Sequence, residues 1–387
     1  MKILIVWRGS PSPFHPSYSR PFYFMKYYDP KISTFLLCGD RNLNSLRKTA
    51  LVFPLSVTKR LTYANLQYAR DFNIFRLYDP SLQFKLNEII NNDFDLVYAD
   101  HWACSYLYGL KLQNRLMIPV ILEFFSPTLY SQRQLSKFGS SADRIRALLC
   151  YLSYRLFEVN RYKLFEAGIY VCRTHLELSK PFVPKNSFII PPGVDLEYFK
   201  PLEKGLDEVP SILFLGSMHY PSNLFSVLYF YKKIYPTIKE KVPGLKFYIV
   251  GRHPPKKIKE LTSYPSVVVT GFVDDVRPYF SIADVFVNPI VVDDGGIKSK
   301  VLEAMAMGKA VVSTPLGVRD IGVTDNENVI IAKNDREFAE KTLELLRNES
   351  ERKRIGINAR KFVEENYSWE KQSKALYNVF RELINGG

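Results

Sequence analysis

The residues whose types and spacing point most directly to chemistry are Gly295-Gly296-Ile297-Lys298-Ser299-Lys300-Val301-Leu302-Glu303, late in a chain of 387 residues. Two glycines at the start of a helical pattern let a ligand come close to the backbone, and the free N–H groups of a helix N-terminus favour an anion. Lys298 and Lys300 fall in the first turn, where positive side chains oppose the helix dipole unless something negative binds between them. Glu303 follows about one turn later, within reach of a polar group attached to that anion. A nucleoside diphosphate fits this order, with phosphates on the glycines and lysines and ribose hydroxyls on the carboxylate. The alternative is an ordinary α/β helix whose lysines are solvated and whose glycines only turn the chain.

Other candidates sit where strand patterns end. Asp100-His101 follows Leu96–Ala99, and Glu123 lies near the end of Val120–Leu122. Both are expected to face the crevice at the carboxyl edge of a sheet, where α/β folds collect ligands. A capping or structural role for His101 and a structural one for Glu123 stay open. Gly9, Gly216 with Ser217 and Asn223 behind it, and Arg252 occupy the same kind of position after other strand runs.

The elements that must hold these residues alternate. Lys2–Trp7 reads as a buried strand, though no GxGxxG follows it. Arg20–Tyr28 suits a helix, and strand-like runs recur at Ser33–Cys38, Ala50–Val57, Leu96–Ala99, Val120–Phe125 and Ile169–Val171. Residues 142–167 form one helical pattern without Pro or Gly, carrying Arg144, Arg146, Arg155, Arg161 and Lys163 among apolar and aromatic residues. Such a helix suits a membrane surface or a plain scaffold. After the turn-rich segment Pro191–Pro201 the series starts over. Strands are expected at 212–216, 246–251, 267–270, 285–287, 310–314 and 329–331, with helices at 224–235, 276–282, 335–348, 349–366 and 369–384. Two tandem α/β units predict mostly parallel sheets with a ligand cleft between them.

Composition sets the bounds. The hydrophobic share of 47% supports ample cores in two domains of ordinary size. Cys38, Cys104, Cys150 and Cys172 lie far apart with no CxxC pair, which argues against a zinc site and for a reducing compartment. The apolar run Ile3–Trp7 is too short for a signal peptide, and no run approaches a membrane span. Residues 1–200 hold 26 Lys and Arg against 15 Asp and Glu, whereas the rest of the chain is nearly balanced. An anionic partner is therefore expected for the first half: a phosphorylated substrate, anionic lipid or nucleic acid. The dispersed basic residues disfavour nucleic acid.

Four motifs in order resemble one family. Gly193-Val194-Asp195-Leu196-Glu197-Tyr198-Phe199-Lys200-Pro201, Gly271-Phe272-Val273-Asp274-Asp275-Val276, Ala283-Asp284-Val285 and Leu302–Val312 resemble the later motifs of GT-B glycosyltransferases of the glycosyl transferase group 1 (GT4-like) type. The resemblance covers residues 193–370 well and the first half only by general plan. It implies a GT-B fold: an N-terminal acceptor-binding Rossmann-like domain (1–195), a nucleotide-sugar-binding Rossmann-like domain (196–368) facing it across a central cleft, and a C-terminal helix (369–387) crossing back to the first.

The resemblance further implies transfer of a sugar from a nucleotide-diphosphate donor to a glycan or lipid-phosphate-linked acceptor, with retention and without metal or other cofactor. By the same resemblance, Glu303 binds the ribose, and the backbone at Phe272 and Val273 borders the base. Gly295, Gly296 and Ile297 face the sugar and phosphates. Lys298 and Lys300 neutralise the leaving diphosphate, and His101 positions the donor sugar. Two departures stand out: Gly295 replaces a common glutamate, and Gly216-Ser217-Met218-His219-Tyr220-Pro221-Ser222-Asn223 lacks the usual Arg and Lys. A cytoplasmic location is expected, with peripheral contact to an anionic membrane through the basic first domain. The competing reading is a nucleotide-sugar epimerase, which needs acid/base carboxylates beyond Glu123.

Overall fold

The computed structural model describes residues 1–7, 19–27, 32–38, 51–54, 93–100, 115–124, 162–180, 183–184, 186–203, 209–218, 220–293 and 295–385, with isolated helical positions between 107 and 152. The chain divides into two units, Met1–Gly193 with Trp369–Gly387 and Val194–Ser368. Val194 and Asp195 go with the second unit because the Val194 N–H donates to the Tyr367 carbonyl at 2.7 Å.

The first unit is built on a parallel sheet. Its strands are β1 (Lys2–Trp7), β2 (Ser33–Cys38), β3 (Leu51–Pro54), β4 (Leu96–Asp100), β5 (Val120–Phe124), β6 (Ala167–Tyr170) and β7 (Asn186–Ile189), in the spatial order β3-β2-β1-β4-β5-β6-β7. Both faces are covered, so strands read as unbroken apolar runs. One face (Ile3, Ile5, Trp7, Leu96, Tyr98, Ile121) packs on helix α1 (Ser19–Tyr27) and on the terminal helix. The other (Leu4, Val6, Val97, Val120, Leu122) packs on Tyr162 and Phe165. Helix α2 (Arg173–Ser179) follows β6.

Two sequence expectations change here. Glu123 does not face a crevice: it is fully buried, paired with Arg20 of α1 at 2.7 Å and accepting a hydrogen bond from the Tyr98 hydroxyl at 2.6 Å. Burial pushes its carboxyl pKa up while Arg20 opposes the rise. Asp100 closes β4 and is buried as well. The helix expected over 142–167 does not reach its end. Residues 163–166 are non-helical and Ala167 opens β6, with the Glu166 carboxylate taking the Val120 N–H at 2.7 Å. Of that segment's basic residues, Arg146, Arg155 and Arg161 lie outside the described residues, as do Gly9 and His101.

The second unit repeats the plan with β8 (Ser211–Leu215), β9 (Lys246–Val250), β10 (Val267–Gly271), β11 (Val285–Asn288), β12 (Ala310–Ser313) and β13 (Ile330–Ile331), ordered β10-β9-β8-β11-β12-β13 and parallel throughout. Its described helices include α3 (Pro221–Lys233), α4 (Tyr235–Lys241), α5 (Arg277–Ile282), α6 (Ser299–Ala306), α7 (Asp335–Arg347) and α8 (Glu349–Tyr367). Val227 and Phe230 of α3 and Phe338 of α7 cover one face of the sheet. Val301, Leu302 and Met305 of α6, with Ala359 and Val363 of α8, cover the other. Strand order reverses beside β8, which makes its carboxyl edge the favoured ligand position.

Helix α9 (Trp369–Asn385) returns to the first unit. Trp369 stacks on Tyr23 at 4.8 Å, and Phe380 meets Phe24 at 5.1 Å and Tyr98 at 5.2 Å.

Candidate active site

The residues singled out in the second unit gather at the carboxyl edge of its sheet. β8 ends at Leu215, and a Cβ on Gly216 would lie 2.8 Å from the Asn223 side chain. That glycine therefore lets the first turn of α3 close on the strand. Asn223 Nδ2 donates to the Ser217 carbonyl at 2.9 Å, and the Met218 N–H donates to the Arg252 carbonyl at 3.0 Å. The loops after β8 and β9 are thus locked together, with the Arg252 side chain exposed.

Helices α3 and α6 lie on opposite faces of the sheet, and Lys300 reaches between them. Its Nζ donates to Asn223 Oδ1 at 2.7 Å and sits 4.1 Å from the centroid of the buried Phe214 ring. A cation is thereby held beside the first turns of two helices. Lys298, the N-cap of α6, turns its ammonium onto the Gly296 carbonyl at 2.8 Å.

Neither helix terminus carries the usual complement. The N-caps Tyr220 and Lys298 make no side-chain cap bond, and neither first turn contains an acid. Within the unit α4 and α5 are likewise uncapped and acid-free, and the contrast is with the unit's last two helices. In α7 and α8, Asn334 and Asn348 accept from the backbone of Glu337 and Glu351, and each first turn holds two acids. Caps and acids satisfy orphan N–H groups and the positive end of the dipole. What sets α3 and α6 apart is the Lys300 ammonium held between their first turns, an arrangement suited to an anion.

The glycine loop is pinned from behind. Gly295 is buried with φ +75°, and its N–H donates to Asp293 Oδ1 at 2.8 Å, the oxygen that Arg319 Nη2 also reaches at 2.6 Å. Gly296 differs: a Cβ there would meet no atom within 4 Å, and its φ is not positive. Nothing in the unit's own packing requires a glycine at 296. Ile297 packs its side chain on the core.

Glu303 is half-buried, yet its carboxyl lies where solvation is poor, and desolvation raises its pKa to about 7 against the opposing pull of Lys300. Farther along the same edge, Gly251 N–H donates to the Gly271 carbonyl at 3.1 Å, which brings up Phe272 (65% exposed) and Val273, whose side chain packs on the core. The structure thus assembles Gly216, Ser217, Asn223, Arg252, Gly295, Gly296, Ile297, Lys298, Lys300 and Glu303, with Phe272 and Val273 two strands away. The sequence reading missed Phe214, Asp293 and Arg319. The Asp-Asp run before the glycines was a signal for Asp293; nothing near Arg319 in sequence points to its partner.

Two parallel Rossmann-like units with a terminal helix returned to the first define the GT-B fold class. Residues 209–348, within the second unit, match the family model described as glycosyl transferases group 1. A protein of the cps region of Klebsiella pneumoniae, described as uncharacterized, is 27% identical over 180 residues, 44% of this chain and 45% of that protein. The capsular polysaccharide biosynthesis glycosyltransferase CapM of Staphylococcus aureus is 35% identical over 132 residues, 33% of this chain and 34% of CapM. These matches span less than half the length of the relatives. Among solved structures, HepE of Anabaena in complex with UDP and glucose aligns with a TM-score of 0.67 over 99% of this chain and 100% of its own at 14% identity, which is a likeness of fold.

Proposed function

We propose that the chain is a glycosyltransferase that moves a sugar from a nucleotide-diphosphate donor to a glycan or lipid-phosphate-linked acceptor. The observation that carries this is the pair of uncapped, acid-free helix N-termini bridged by Lys300 and Asn223, with Glu303 one turn beyond. The N–H groups of α3 and α6 and the two lysines receive the diphosphate. Glu303 in its ionised form accepts the ribose hydroxyls. Gly296 leaves room for the sugar-phosphate link, and the backbone at Phe272 and Val273 borders the base. CapM is described as a capsular polysaccharide biosynthesis glycosyltransferase, and the Anabaena structure is a complex with UDP and glucose; the first supports a glycan acceptor and the second a nucleotide-sugar donor.

Breaking the glycosidic bond leaves negative charge on the diphosphate. Lys298 and Lys300, fixed before the reaction by Gly296 and Asn223, stabilise that charge without reorganising. We infer that they take the part a metal ion plays elsewhere, and that transfer proceeds with retention. His101 is assigned to the donor sugar by the family resemblance alone. The first unit, with its basic excess, receives an anionic acceptor.

An epimerase would need a cleft carboxylate for proton transfer, and Glu123 is committed to Arg20 and Tyr98. The test incubates the protein with a panel of nucleotide sugars, with and without lipid-linked saccharides from bacterial membranes. The transferase reading expects one labelled donor to lose its sugar to the lipid fraction only when acceptor is present. Interconversion of the donor sugar without acceptor would overturn it.

A further inference from the structure

The loop that carries Gly295 and Gly296 leaves the sheet at Asn288, the last residue of β11. Asn288 is fully buried and follows the apolar run Val285-Phe286-Val287. Its Nδ2 donates at 3.0 Å to the Oγ of Ser313, its register partner on β12, and at 3.0 Å to the Gly317 carbonyl. A carbonyl only accepts, so the Gly317 bond fixes which way the amide points. Oδ1 is then buried with no hydrogen-bond partner among the described residues. A Cβ at position 317 would lie 2.3 Å from Nδ2, so the amide fits only against a glycine.

Burying an amide with its acceptor unused is unfavourable, and an apolar residue at the strand end would avoid it. Local rules are broken in this way chiefly where function needs the group. The residues that follow show what the group does. The Thr314 hydroxyl donates to the Ile290 carbonyl at 2.7 Å, and the Val291 N–H donates to Ser226 Oγ of α3 at 3.2 Å. Arg319 holds Asp293, which accepts the Gly295 N–H. Positions 288, 290, 291 and 293 are thus tied either to residues 313–319 or to α3, the helix whose Asn223 holds Lys300. Asn288 makes the first of these ties, where the loop leaves the sheet, and so sets the direction in which the others are laid.

We propose that Asn288 is a positioning residue of the donor site. It touches no ligand; it holds the loop over 289–296 against residues 313–319, so that the Gly295-Gly296 backbone meets the diphosphate and sugar without rearranging. This inference rests on the transferase reading and adds to it the side chain that orients the loop.

The test pairs hydrogen–deuterium exchange, which needs no ligand, with binding. Asn288→Ala removes the amide. Thr314→Val, at a half-buried position and with nearly the same volume, removes the Ile290 bond and serves where the first variant does not fold. Each is expected to speed amide exchange over residues 290–296 by about tenfold or more, with α7 and α8 exchanging as in wild type. Affinity for the UDP- or GDP-sugar that wild type binds is expected to fall about tenfold in calorimetry. Affinity for the bare nucleoside, read by ligand-observed nuclear magnetic resonance, should change by about twofold at most, since the reading puts ribose and base on Glu303 and residues 272–273. Equal weakening of both ligands would mean a general loosening and would overturn the proposal. So would a loop that exchanges as slowly in both variants as in wild type, or an unchanged affinity for the sugar conjugate; in each case wild type still binds and the transferase reading stands. Wild type that binds no nucleotide would overturn that reading and the proposal together.

Discussion

At the residue scale, the site separates groups that the fold needs from groups that only a ligand needs. Gly216 and Gly296 make the clearest pair. Replacing Gly216 with Ala forces a Cβ to within 2.8 Å of Asn223, and we expect about 1–3 kcal/mol of lost stability. Gly296→Ala meets nothing, so stability should hold or rise by a few tenths of a kcal/mol, while donor affinity falls about tenfold. Denaturant unfolding and calorimetry on both variants read the two effects separately, and a Gly296→Ala protein that binds donor normally would remove the glycine from the site.

Glu303 gives a pH signature. Its pKa is about 7 in the folded chain against 4.5 ordinarily, so the folded state holds the proton more tightly than the unfolded one. Its favourable contribution is complete below pH 4.5 and is lost as pH rises through 7, leaving a burden of order 3 kcal/mol at most by pH 8. Glu303→Gln should raise the melting temperature at pH 8 and leave it unchanged near pH 4.5. Ribose hydroxyls need the ionised carboxylate as acceptor, so wild-type affinity for the donor should climb between pH 6 and 8. The glutamine variant should bind weakly and show no such climb.

At the scale of elements, the uncapped start of α6 makes a prediction of opposite signs. Ser299→Glu puts an acid in the first turn of α6, where the dipole favours it by about 0.3–1 kcal/mol. Stability should be kept or improved while donor affinity falls at least tenfold through repulsion of the diphosphate. Asn348→Ala at the N-cap of α8 should do the reverse, costing about 1 kcal/mol without touching donor binding. If Ser299→Glu binds donor as wild type does, α6 does not hold the phosphates. The Asp293–Arg319 pair belongs to the same scale, since it fixes the loop that leads into α6. Arg319→Met should weaken donor binding several-fold with little loss of stability, because Arg319 is partly exposed and contributes chiefly by holding Asp293 on the Gly295 N–H.

At the scale of the molecule, most of the architecture was legible for a physical reason. Strands with both faces covered, such as Val285–Val287 and Val120–Leu122, can only be apolar runs. What escaped was settled by distant partners. Asn186–Ile189 joins the sheet edge with a half-exposed pattern that carries no period. Residues 163–166 have good helix formers, yet Glu166 is needed at the β5 backbone. Glu123 reads as a crevice acid until Arg20, about a hundred positions earlier, is seen beside it. The glycine–lysine stretch of the candidate site was readable because glycines, lysines and a glutamate fall within nine consecutive residues; Asn223, which anchors Lys300, was placed near it by its position after β8, but its bond to a residue 77 positions away was not.

The central claim is that a nucleotide-diphosphate sugar binds between the first turns of α3 and α6. Isothermal calorimetry with UDP- and GDP-sugars on wild type, Lys300→Ala and Glu303→Ala tests it most directly. The account predicts that one conjugate binds wild type and loses at least about tenfold in affinity in each variant, with both variants still folded. Binding that is equal in all three proteins, or no binding of any conjugate to wild type, would contradict it.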